Sequence, residues 1–123
     1  MAASSSDLAQ IDVLCDHEIT GYRRLQDTNR AAIREITSTI NPLRGDARRA
    51  KITECAARAL EMSDIWLAAR RKCQEHGFSD KIIDVAFWTL CRPQHNEGFS
   101  RADHDFFEAE VQRLDRFRAQ SRR

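Results

Sequence analysis

An all-α fold, an antiparallel bundle of about four helices with a long first helix, is what this sequence predicts, and three observations predict it. Apolar residues recur every three to four positions through most of the chain. The two prolines, Pro42 and Pro93, fall where that periodicity breaks. The segments between breaks are long and the connections short, which favours antiparallel helical neighbours. At 123 residues, one core and one domain are expected over residues 1–123, with residues 1–6 and 119–123 as frayed ends.

Residues 7 to 40 read as one long amphipathic helix or two collinear ones. Their stripe is Leu8, Ile11, Leu14, Cys15, Ile19, Tyr22, Leu25, Ile33, Ile36 and Ile40. Ser6 or Asp7 can cap its start, and Gly21, about 1 kcal/mol worse than Ala in a helix, is the expected bend. Asn29 falls on or at the edge of the stripe, where a polar residue can fix the register between helices. Asn41-Pro42 and Gly45 end this segment.

Asp46 then caps a second helix running to about His76. Its stripe is Ile52, Cys55, Ala56, Ala59, Met62, Trp66, Ala69 and Cys73, and Leu60, Ile65 and Leu67 widen it. Gly77 is a C-cap. Ser79 and Asp80 open a third helix to about Cys91, with Phe78 placed to staple onto Ile83. Ile82, Ile83, Ala86, Phe87, Leu90 and Cys91 form one face, and Val85 and Trp88 make the helix apolar nearly all round. The β-branched and aromatic content there also permits a strand. Arg92 to Phe99 is a loop. Ser100 and Asp103 have capping-box spacing, and Phe106, Phe107, Val111, Leu114 and Phe117 carry a fourth helix to the basic tail.

Charged residues are 32% of the chain and hydrophobic ones 41%, a globular mix. The net charge of +1 argues against nucleic-acid or membrane-surface binding, which need a concentrated positive field. The opening residues have neither a basic start nor an apolar stretch, so no leader is expected and the chain is placed in the cytoplasm. No apolar run is long enough to span a membrane. Cys15, Cys55, Cys73 and Cys91 all fall on or beside apolar faces and are expected to pack as small hydrophobes in a reducing compartment.

Chemistry is sparse. Cys73-x2-His76 with Cys91-x3-His95 has the residue types of a zinc site. A helical hairpin at Gly77, however, carries Cys91 roughly 18 Å up the returning helix, at about 1.5 Å per residue. No metal and no cofactor are therefore expected. A helix-turn-helix reading fails because the candidate recognition helix, residues 80–90, offers one lysine and apolar bulk to the base edges. No phosphate-cradling glycine loop or nucleophile elbow occurs, and Asp103-His104-Asp105 reads as a charged helix start. No catalytic residue is assigned, and the chain is not expected to be an enzyme. Surplus apolar surface on the second and third helices instead predicts a homodimer and a protein partner.

Two stretches resemble the TraM-type quorum-sensing antiactivators, small helical proteins that bind LuxR-type transcription factors. One is Ile19-Thr-Gly-Tyr-Arg23-Arg24-Leu25. The other is Glu61-Met62, followed after fourteen residues by Gly77-Phe78 and then Lys81-Ile82-Ile83. The likeness covers about half the chain, which continues beyond it into the fourth helix. It implies inhibition of a LuxR-type, LasR-like activator by direct protein contact, without direct nucleic-acid binding. Arg23, Arg24, Met62, Trp66 and Trp88 are the expected partner-binding residues, since arginine and aromatic anchors dominate interfaces. A fainter resemblance runs to the small all-helical chorismate mutases, through Ile11-Asp12, Arg23, Arg24 and Arg30. The arginine those enzymes place shortly before their Ile-Asp pair is replaced here by Leu8-Ala9-Gln10.

Overall fold

The structure, a computed structural model, describes residues 3–93 and 98–121. All regular elements among the described residues are helices, so the strand alternative for residues 81 to 90 is set aside. They are α1 (Ser5–Leu14), α2 (Asp16–Ile36), α3 (Gly45–Glu75), α4 (Asp80–Cys91) and α5 (Arg101–Ser121).

The first periodic segment breaks at Cys15 and not at Gly21. Cys15 leaves helical geometry at φ −109°, ψ 24°. Its N–H still donates to the Ile11 carbonyl and its carbonyl accepts from Ile19, so the turn leaves no backbone group stranded there. Gly21 stays helical within α2. The helix also stops at Ile36, four residues early. The Ser38 hydroxyl accepts from the N–H groups of Ile40 and Asn41, a local turn that competes with the helix and leaves Ile40 outside.

Capping explains four of the other boundaries, but not the start of α3, which begins at Gly45 with Asp46 already inside its first turn and not before it. Of the three consecutive serines, Ser4 caps α1, because it alone has an acidic residue three positions on. Asp7 N–H donates to the Ser4 hydroxyl at 3.1 Å and Ser4 N–H to the Asp7 carboxylate at 3.2 Å. Gly77, at φ 85°, closes α3. Its N–H bonds the Gln74 carbonyl while that of Phe78 bonds Cys73, the pair of bonds that defines a Schellman turn. Ser79 caps α4 through the Ile82 N–H, and Ser100 caps α5 through that of Asp103.

The chain forms two compact units, Met1–Arg24 with Met62–Pro93 and Leu25–Glu61 with Gln94–Arg123. In the first, α1 packs on α4. The start of α2 runs antiparallel to the end of α3, for Cys15 meets Cys73, Glu18 meets Lys72 and Gly21 meets Ile65. α4 returns antiparallel on α3, with Phe87 against Trp66 and Asp84 against Arg70. Ile11, Cys15, Ile19, Tyr22, Met62, Ala69, Cys73, Ile83, Ala86, Phe87 and Cys91 are its buried apolar residues.

In the second unit the end of α2 lies antiparallel to the start of α3. Ala32, Ile36, Ile52, Cys55, Ala56 and Phe107 make its core, flanked by Ile33, Leu43, Phe106, Val111 and Leu114. α5 departs from the antiparallel rule. Arg48 pairs with Asp103 and Thr53 with Glu110, so α5 runs in the same direction as α3. A short loop forces antiparallel packing only between consecutive helices, and α4, which precedes α5, is built into the other unit. Asn29 carries the register role its position implies: its amide donates to the Cys55 carbonyl at 3.2 Å and accepts from Arg58 at 3.1 Å.

Candidate partner-binding surface

All five residues expected to bind a partner lie in the first unit, but they divide between its core and its surface. Met62 is buried. Trp66 is half-buried, its ring edge-on to Phe87 at 4.3 Å between centroids, so most of its apolar area is spent inside the unit. Arg24 is exposed.

Arg23 is exposed but occupied. Both Nε, at 3.0 Å, and a terminal nitrogen donate to the Leu90 carbonyl. That carbonyl belongs to the last turn of α4, which ends at Cys91. Arg23 therefore acts as a side-chain cap on α4.

Trp88 is different. Ile83, Ala86, Phe87 and Cys91 point α4 inward, and at about 100° per residue Trp88 falls on the opposite side with Lys81 and Asp84. It is 64% exposed, so α4 is not buried on several sides as its composition implies. Leu67 on α3, at 54%, and Val13 on α1, at 80%, are the other large apolar side chains that stand in water among the described residues of this unit.

The first unit also holds a contact that sequence reasoning missed. Cys15 and Cys73, both fully buried, place their sulfurs 3.5 Å apart. Burial pushes both thiols up, Cys15 to about 12. Lys72 Nζ sits beside them, donating to Glu18 at 2.6 Å and to the Leu14 carbonyl at 3.2 Å. Each cysteine lay visibly on an apolar stripe, but their meeting depends on the register of α2 against α3. Cys73 thus neighbours Cys15 instead of Cys91; His76 is exposed and His95 lies outside the described residues. No cluster of three or more metal-binding side chains occurs among the described residues. Cys91, also buried, is raised to about 11 by desolvation.

In the second unit the Asp103-His104-Asp105 run resolves into structure. Asp103, 7% exposed, receives Arg48 through two nitrogens, one of them Nε at 2.9 Å. Arg48 also donates to the Ile36 and Leu43 carbonyls, closing the end of α2 and the loop after it. The Arg48 guanidinium holds the Asp103 carboxyl below the usual carboxylate range, against the opposing effect of burial. His104 faces Glu108 one turn on, at 4.0 Å. Arg30, one of the arginines behind the chorismate mutase likeness, sits 3.7 Å from Asp27 in this unit, whereas Arg23 belongs to the first.

No family model matches the chain, and neither a curated protein nor a solved structure is significantly similar to it. No described helix is long and apolar enough to cross a membrane.

Proposed function

We propose that this protein is a cytoplasmic, homodimeric antiactivator that binds a LuxR-type, LasR-like transcription factor through the outer face of its first unit. It acts by contact alone, turning over no substrate and touching no DNA. The observation that carries the reading is Trp88, a large aromatic side chain left 64% exposed on α4 while Tyr22, Trp66 and Phe87 of the same unit pack on one another. A soluble chain gains little from a solvated indole, whereas tryptophan is the side chain most enriched among interface anchors. The net charge of +1 and the resemblance of residues 19–25, 61–62 and 77–83 to the TraM-type antiactivators support the same reading. Of the five residues named from sequence, Trp88 anchors the contact, Arg23 and Arg24 stand exposed on the same unit, and Met62 and Trp66 support it from within.

The test adds purified protein to a LuxR-type activator bound to its promoter fragment. Release of the activator in a mobility-shift gel, with no shift by this protein alone, is the expected result. Trp88→Ala should weaken release at least tenfold, since loss of an anchor costs about 2 kcal/mol or more. A direct shift of the DNA, or a panel of such activators left untouched, overturns the proposal.

A further inference from the structure

Cys15 and Cys73 are the only two of the four cysteines that meet. Their sulfurs are 3.5 Å apart across 58 residues of chain, and a disulfide requires about 2 Å. The approach needed is about 1.5 Å, within reach of small side-chain rotations at the two residues. We infer that Cys15 and Cys73 form a reversible intramolecular disulfide that staples the α1–α2 junction to the last turn of α3, with a hydroperoxide as oxidant.

The position of the pair favours this over inert core packing. Cys15 is the single residue between α1 and α2 whose backbone leaves helical geometry, and Cys73 lies two residues before the end of α3. Both thiols thus sit at helix ends, where local opening is easiest. α1 has only ten residues and is held by its packing on α4, with Ile11 fully buried, so loosening that packing alone is enough to open the junction. Opening admits the oxidant and relieves the burial that keeps both thiols protonated. Lys72 lies at the same junction, but it is paired with Glu18, whose charge disfavours a thiolate there more than Lys72 favours it.

Either sulfur of the pair can be the donor, and with Cys15 donating, Cys73 carries the thiolate. Its sulfur attacks the peroxide oxygen and breaks the O–O bond. The product is a sulfenic acid, and the peroxide leaves as an alcohol or as water. The Cys15 sulfur then attacks the sulfenic sulfur, the S–S bond forms, and water departs with the Cys15 proton. Two thiols lose two electrons in total and the peroxide gains them. A dithiol reductant reverses the bond by exchange.

The full-length reduced protein is treated with hydrogen peroxide, quenched, unfolded in an alkylating reagent and mapped by mass spectrometry. The expected product has lost two hydrogens and carries one cross-linked peptide pair, Cys15 with Cys73. Cys55 and Cys91 should be alkylated in the same molecules, and dithiothreitol should restore all four thiols. The double variant Cys55→Ala, Cys91→Ala should give the same cross-link, and its urea midpoint should rise on oxidation and return on reduction. Ile11→Ala, which loosens α1, should speed cross-linking severalfold. If Cys15 and Cys73 are recovered fully alkylated, or bridge to Cys55 or Cys91, or proceed to sulfinic acid without a bridge, the inference is wrong.

Discussion

Asp103 is the residue whose surroundings bear most directly on stability. Its N–H donates to Ser100, the cap of α5, and its carboxylate meets Arg48, which in turn satisfies two carbonyls at the end of α2 and in the following loop. Removing the charge leaves a partly buried guanidinium short of its partner. Asp103→Asn should therefore cost about 2–3 kcal/mol in urea unfolding. The sign with pH follows from the lowered carboxyl pKa. The unfolded chain takes up this proton first, near pH ~4, so the contribution is intact above that range and declines as pH falls through the folded-state value. The gap between wild type and Asp103→Asn should narrow on acidification below pH ~4. A gap that stays constant or widens would remove Asp103 from the account. Alone in the sequence, this residue looked like part of a charged helix start. Its neighbour Arg48 is 55 positions away, and nothing local pointed to it.

At the scale of elements, two glycines behave oppositely although both interrupt helical sequence. Gly21 lies inside α2, and a Cβ there would meet Ile65 Cδ1 at 3.6 Å, an ordinary contact. Gly21→Ala should thus stabilise the protein by about 0.5–1 kcal/mol, through helix propensity and a less free unfolded chain. Gly77 has open space around it, yet its φ of 85° belongs to the left-handed region. Gly77→Ala should destabilise by about 1 kcal/mol, a cost of backbone strain alone. Denaturant midpoints with unchanged m-values decide both. The same contrast marks what was legible: Gly77 ends its segment with a Ser-Asp start beyond it, so its role could be read locally. The break at Cys15 could not, because no residue type there is a helix breaker.

For the whole molecule, the division between core and surface separates two classes of effect. Met62→Ala removes a buried side chain and should lower stability by about 2–5 kcal/mol, with partner binding affected only through folding. Trp88→Ala removes an exposed one and should leave the unfolding midpoint nearly unchanged while weakening release of the activator at least tenfold. The proposed homodimer is checked by light scattering at micromolar concentration, where a mass twice that of the 14.2 kDa chain is expected. A monomer throughout would remove that part of the proposal.

The sequence by itself determined which stretches are helical, since a period of three to four and the capping residues Ser79, Gly77 and Ser100 are local properties. It also determined most of the buried set, because Ile52, Cys55, Ala56, Met62, Ala69 and Cys73 line one stripe of α3 whatever they pack against. Only the tertiary structure decided that Cys15 meets Cys73, that Arg48 meets Asp103, that α5 runs parallel to α3, and that Trp66 turns inward while Trp88 stays in water. A stripe states which side of a helix is dry. It carries no information about the partner helix, its direction or its register, and those are settled by the packing of side chains far apart in the chain.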